Sequence, residues 1–350
     1  MRKISKSQRL IKSFIMILMM AGAVLTGCRE REKAEKPEGA DQSFTVGVII
    51  AYDSPTSEEA LRGLVDRLEE YRRLSGKNIK IVVRRAGGRV AALPEIVREL
   101  ALDCDLLVPV TTPALQAAMI ASDEKPVVFS SVANPYIVRA GRTAVDHDPR
   151  VTGVCSTAPV RQVLEIISQV LPGKKRIGTI WTPSEINSEY YWQLMREAAE
   201  ELGLEMVSEP INGAGDIVQA IQSLVREKVQ VLFPVSDNTI NANFRLVASL
   251  ADENRLPLFA AFSSGAELGA CASMGFGFYE IGQKAGELVA RIFSGESPAR
   301  IPFQYIDRVI FLINEDAAAR QGVNFPPQVL KKADRILRGS AGEKQNLASE

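Results

Sequence analysis

The feature that most constrains this chain is an alternation of short β-rich runs with amphipathic helical stretches, which occurs twice. A parallel strand connection needs a crossover long enough to hold a helix, so this alternation predicts parallel sheets with helices on their faces. The first series places strands at 44–51, 79–84, 106–110 and 127–131, with helices at 56–75, 90–101 and 113–121 between them. The second places strands at 177–181, 205–208, 229–234 and 258–261, with helices at 189–202, 216–227 and 241–254. The expected fold class is therefore α/β, built as two doubly wound, Rossmann-like lobes with a hinge and a cleft between them. Ligands of open α/β sheets bind outside the carboxyl ends of the strands, so the loops that follow each strand should face that cleft.

The expected division gives residues 44–153 plus about 265–300 to a first lobe and 154–264 plus about 301–325 to a second. The link between the two series runs near 151–157. Helix 281–293, which carries Gly282 and Gly286 where close packing is possible, should return to the first lobe, and 309–313 reads as a last strand. From residue 331 to 350 the chain reads as a polar, frayed tail.

The N-terminus carries a different signal. Arg2, Lys3, Lys6, Arg9 and Lys12 precede an apolar run from Phe14 to Val24, and no acidic residue interrupts either part. That run is about half the ~20 residues needed to cross a hydrocarbon core, which points to a signal peptide over 1–27. Leu25-Thr26-Gly27-Cys28 follows at once and resembles a lipobox, in which the cysteine thiol is lipidated and becomes the mature N-terminus. Cys28 is the expected lipidation site, and its acyl chains would hold the protein to an envelope membrane, outside the cytoplasm. Residues 28–43 are charged and small, cannot support a core, and read as a flexible tether.

The full chain balances 42 Lys and Arg against 42 Asp and Glu. Removing 1–27 takes five basic residues and leaves a charge of −5, which disfavours nucleic acid as a partner. Cys104, Cys155 and Cys271 are widely spaced and read as buried structural thiols, not as metal ligands. His147, the only histidine, sits in the turn-like Asp146-His147-Asp148-Pro149. With one histidine and no Gly-rich phosphate loop, neither a metal nor a cofactor is expected.

The candidate binding residues lie in loops after strands. Thr111 and Thr112 follow the third strand and open a helix, so they can present hydroxyls and unpaired N–H groups to an anion, or simply cap the helix. Ser184, Glu185, Asn187 and Ser188 open the helix after strand 177–181, and capping explains only some of them. Asp237 and Asn238 follow strand 229–234, where the carboxylate can pair with a ligand ammonium or form an Asx turn. Tyr52, Trp181 and Tyr279 fall at strand ends or cleft-side loops, where a ring encloses a ligand or packs the core.

Several of these stretches together resemble the ABC transporter substrate-binding family of the tryptophan and tyrosine importer type. They are Thr111-Thr112-Pro113-Ala114, Pro126-Val127-Val128-Phe129, Val151-Thr152-Gly153-Val154, Pro183-Ser184-Glu185-Ile186-Asn187-Ser188, Asp237-Asn238-Thr239, Gly269-Ala270 and Tyr279-Glu280-Ile281-Gly282. The resemblance implies a type 1 periplasmic-binding fold that closes on a hinge around one small molecule, best an amino acid and an aromatic one among those. It also implies ABC permease subunits as partners. Asn134-Pro135 stands where the family commonly has Asp-Pro, which removes a charge expected to meet the ligand ammonium at Asn134. Two other readings stay open: a ligand-sensing module of a receptor, and an enzyme using Glu185 and Asp237 as a carboxylate pair across the cleft.

Overall fold

The computed structural model describes residues 43–339. The expected signal segment, Cys28, all of the tether except Ser43, and the end of the polar tail lie outside the described residues. The elements in chain order are β1 (Ser43–Ile50), α1 (Pro55–Ser75), β2 (Asn78–Arg85), α2 (Leu93–Asp103), β3 (Leu106–Val110), α3 (Thr112–Ala121), β4 (Val127–Val132), β5 (Val151–Cys155), α4 (Val160–Val170), β6 (Arg176–Trp181), α5 (Ile186–Glu201) and β7 (Glu205–Pro210). There follow α6 (Ile217–Arg226), β8 (Val231–Leu232), α7 (Asn238–Ala242), α8 (Phe244–Glu253), β9 (Phe259–Ala260), β10 (Ala272–Gly275), α9 (Phe278–Phe293), β11 (Gln304–Tyr305), β12 (Ile310–Asn314), α10 (Glu315–Arg320), α11 (Pro327–Leu330) and β13 (Arg335–Leu337).

The first lobe is a parallel sheet in the order β11-β5-β4-β3-β1-β2. Strands β3, β4 and β5 are buried throughout, as strands covered on both faces must be. The period of two divides their side chains. Val46, Val48 and Ile50 pack under α1 and α9, while Ile49, Leu107, Phe129 and Val151 pack under α2 and α3.

The second lobe joins β7-β6-β8 to β9-β10-β12-β13 through a bridge between Leu232 and Leu258. Helices α4 and α5 cover one face through Val163, Leu164, Tyr191 and Met195. Helices α6 and α8 cover the other through Ile217, Ile221, Val247 and Ala251. Among the described strands, only β10 and β12 pair antiparallel.

The chain crosses between the sheets three times, at 156–159, 276–277 and 306–309. These crossings correct the expected boundaries. Residues 265–275, placed by the sequence in the first lobe, pair in the second through β10, and β11 adds to the first lobe although 301–325 was expected in the second. Strands of four and two residues are too short to carry a periodic signal. Ser43 opens β1 instead of ending a tether, and the tail from residue 331 contains β13, held to β12 and by the Asp334 carboxylate accepting from Phe311 N at 2.8 Å. The helix expected over 241–254 is two helices, because the backbone leaves helical geometry at Asn243.

Candidate functional site

The loops that follow the strands of both lobes meet around an internal cavity of about 40 Å³. The first lobe supplies Thr56, Thr111, Thr112 and Ser131, and the second supplies Asn187, Asn238 and Asn241. Tyr191, the crossing residues Ser156 and Phe276, Ser236, and Phe278 at the start of α9 also line it. No lining residue carries a formal charge.

The local folding explains the polar wall. Helix α3 starts at the carboxyl end of β3, so its first turn, with Thr112 and Ala114, presents backbone N–H groups with no partner inside the helix. Thr111 just before it has φ 80°, and Ser131 at the end of β4 has φ 58°. Left-handed backbone at a residue with a β-carbon costs about 1–3 kcal/mol and concentrates at functional sites. Thr112 Oγ1 accepts from Ala133 N at 3.2 Å, which leaves the hydroxyl proton free to donate.

Four buried side-chain atoms on this wall have no partner among the described residues: Thr111 Oγ1, Ser131 Oγ, Asn187 Oδ1 and Asn241 Oδ1. An orphaned buried polar atom costs about 1–3 kcal/mol, so four around one cavity are available to water or another polar guest. The two amides are oriented by their nitrogens. Asn187 Nδ2 donates to Glu185 Oε2 at 3.4 Å and Asn241 Nδ2 to Ser236 Oγ at 3.2 Å, which leaves both carbonyl oxygens as the unpaired acceptors.

Glu185, Asp237 and Ser188 stand behind this wall. Glu185 accepts from Asn238 N at 3.0 Å and Nδ2 at 2.6 Å, and from Thr239 N at 2.9 Å and Oγ1 at 2.6 Å. Asp237 accepts from Thr182 N at 3.1 Å, Ser188 Oγ at 2.7 Å and Ile240 N at 2.7 Å. Both carboxylates therefore gather the free donors at the start of α7, and Glu185 holds Asn238 in place. Burial, and then the neighbouring Glu185 carboxylate, push the Asp237 carboxyl up from the ordinary range. The expectation that Asp237 meets a ligand ammonium is corrected, because its oxygens are already engaged within its own lobe. The pair expected across the cleft is likewise one frame on one lobe.

The remaining candidates also lie off the cavity. Asn134 Oδ1 accepts from Tyr136 N at 2.9 Å in a turn, and the Tyr190 hydroxyl of the other lobe meets its side chain. Ser184 is exposed and lines a separate outer groove, as does Tyr52. Tyr279 donates to Asp66 Oδ2 at 2.9 Å where α9 packs on α1, and Trp181 stacks on Trp192 at 5.1 Å. Of the residues singled out in the sequence, Thr111, Thr112, Asn187 and Asn238 reach the wall. Thr56, Ser131, Ser236 and Asn241 were missed. Ser131 carried a legible signal, as a small polar residue ending a buried strand, whereas Asn241 was taken as the start of a longer helix.

The crossing at 156–159 is held from both sides. Ser156 N donates to Val132 O at 2.8 Å and Thr157 Oγ1 to Ala133 O at 2.6 Å, while the Tyr191 hydroxyl donates to Ser156 O at 3.0 Å and accepts from Ala158 N at 3.1 Å. Cys104, Cys155 and Cys271 are free and buried, and among the described residues no group of three or more metal-ligating side chains gathers.

Comparison with known proteins places this geometry. The family described as ABC transporter substrate binding protein matches residues 45–337. A tyrosine-binding protein of Clostridioides difficile is 29% identical over 319 residues, which cover 89% of this chain and 91% of that one. A Streptococcus pneumonia ABC domain solved with L-Trp superposes with a TM-score of 0.79 at 24% identity, covering 85% of this chain and 100% of that one. A ligand-free, open substrate-binding protein from Clostridium difficile, described as having adhesive properties, gives 0.64 at 28% identity over 84% and 99% of the two chains. The architecture is that of the type 1 periplasmic-binding proteins, two α/β lobes joined by three crossings. With a match that spans nearly every described residue, the chain belongs to the ABC transporter substrate-binding protein family.

Proposed function

We propose that this chain captures a zwitterionic amino acid between its lobes and presents it to an ABC importer from outside the cytoplasm. The observation that carries this reading is the uncharged cavity wall with four orphaned polar atoms in two chemically different sets. On the first lobe the Thr111, Thr112 and Ser131 hydroxyls and the start of α3 are donors for a carboxylate, favoured further by the helix dipole. On the second lobe the unpaired carbonyl oxygens of Asn187 and Asn241 are acceptors for an ammonium. A ligand with both groups satisfies both lobes at once, and so stabilises closure. Phe276 and Phe278 supply apolar surface for its side chain, and tyrosine, the ligand in the name of the Clostridioides relative, is the first candidate. At about 40 Å³ the cavity is small for an amino acid such as tyrosine, so the lobes are expected to part to admit one and close again around it.

Attachment to the membrane belongs to the same proposal. Among the described residues no helix is long and apolar enough to cross a bilayer, and Cys28 follows a cationic and apolar leader. We infer that Cys28 is lipidated and that the permease partner lies in the same membrane.

The test is calorimetry against the common amino acids with the parent, Asn187→Ala and Ser131→Ala. Each variant is expected to weaken binding by about tenfold to a hundredfold, the range for losing a hydrogen bond to a charged group. No lining side chain ionises from about pH 6 to about pH 8, so a drift of affinity over that range would report the raised Asp237 carboxyl behind the wall. A chain that binds no amino acid, or whose variants bind as the parent does, removes this reading.

A further inference from the structure

We propose that the first crossing, 156–159, is a hydrogen-bonded coupler that fixes the two halves of the cavity wall against each other, with Thr157 and Tyr191 as its positioning residues. Tyr191 lies on α5, buried in the second-lobe core. Its hydroxyl donates to Ser156 O at 3.0 Å and accepts from Ala158 N at 3.1 Å. Among the described residues Ala158 N has no other acceptor. The two contacts straddle Thr157, whose own hydroxyl serves the first lobe by donating to Ala133 O, just past β4, at 2.6 Å.

Followed outward, these bonds reach a candidate ligand group at each end. In the first lobe Ala133 N donates to Thr112 Oγ1 at 3.2 Å, and Thr112 is one of the hydroxyls offered to a carboxylate. In the second lobe Tyr191 follows Asn187 by one turn of α5 and shares its face, and Asn187 carries an unpaired acceptor. Thr112 and Asn187 come from different sheets, so nothing in either lobe alone sets the distance between them. A site must hold its polar groups to within about 0.5 Å of the productive geometry. The coupler supplies that constraint across the lobes and leaves less freedom to be lost on binding.

Neither positioning residue acts by offering a polar group to the ligand. Thr157 is not among the lining residues, and the Tyr191 hydroxyl is engaged on both its donor and its acceptor side by the crossing. The effect on affinity rests on the capture reading, whereas the effect on the lobes does not.

Tyr191→Phe and Thr157→Val each remove one hydroxyl and keep the shape of the side chain. In calorimetry with L-tyrosine, well below the melting temperature, each is expected to weaken binding about threefold to tenfold. Because both act on one connection, the double variant should lose less than the product of the two single losses. Losses that multiply in full, or affinities equal to the parent's, overturn the coupler and leave both as packing residues, whatever happens to the melting temperature. The second readout needs no ligand: nitroxide labels at Leu102→Cys on α2 and Val218→Cys on α6, exposed positions on different lobes. The distribution of distances between them should be broader with Tyr191→Phe than with Tyr191 intact, and an unchanged distribution overturns the coupler. If the parent binds no amino acid, the capture reading fails, and the label distances still decide the coupler.

Discussion

At Asp237 a ligand and a helix terminus make the same demand on a sequence. Both ask for a short acidic or amide side chain after a strand, so Asp237 and Glu185 read equally well as ligand contacts or as caps until their partners are seen. The partners are backbone and hydroxyl donors of the same lobe, and Asn134 likewise spends its amide oxygen on its own turn. The pKa of Asp237 gives a test. A folded-state value raised above the unfolded ~3.9 means that the folded protein holds the proton longer. The associated stability is fully present below about pH 4 and is lost as pH rises through the folded value. Asp237→Asn is neutral throughout; Thr182 N keeps Ser188 Oγ as an acceptor at 2.8 Å, so losing the Asp237 Oδ2 acceptor is a constant offset at every pH. Its melting temperature relative to the parent should therefore improve as pH rises from about 5 to about 8, as calorimetry will show. Parallel curves would mean that Asp237 ionises normally in the folded protein.

Among the elements, α9 shows what a pattern of residues reveals and what it leaves out. Gly282 and Gly286 were legible as a close-packing face, but not the partner, which is α1. A β-carbon at Gly282 would sit 2.0 Å from Ala60 O, and one at Gly63 equally close to Tyr279 O. Replacing a mid-helix glycine with alanine ordinarily stabilises by up to about 1 kcal/mol. Here the obstacle is backbone, which yields only if the helices separate, and overpacking costs typically 1–3 kcal/mol. The clash wins, and Gly282→Ala should lower the melting temperature by a few degrees in a thermal scan. A gain in stability would show that α9 and α1 slide past each other freely. The single helix expected over 241–254 failed for a related reason: its apolar periodicity continues through Asn243, and only the caps on α7 reveal the break.

For the whole molecule, three crossings join the lobes, and the proposed capture requires them to turn as bodies about those crossings. Where that body resides in the cell depends on a segment outside the described residues. Cys28→Ser is expected to leave the lobes folded and still stabilised by ligand, but to move the protein from the membrane fraction to the soluble one, with no incorporation of labelled lipid. Retention of the variant in the membrane would end the lipoprotein reading. The order of strands within each sheet was not legible along the chain, because neighbours such as β1 and β3, or β5 and β11, are brought together by crossovers of any length.

Local chemistry was enough to determine the α/β class, the two series of strands, most of the helices and the loops that bear polar side chains. Those follow from periodicity and turn residues, which act over a few positions at a time. The tertiary structure alone decided which polar groups keep a free valence. Glu185, Asn187 and Ser188 lie within four residues of one another, yet Glu185 and Ser188 face helix α7 and Thr182, while Asn187 keeps its carbonyl oxygen unpaired on the cavity wall. A buried hydrogen-bonding group is available to a ligand only when no other partner has claimed it, and the partners that claim Glu185 and the Ser188 proton come from about fifty positions further along the chain.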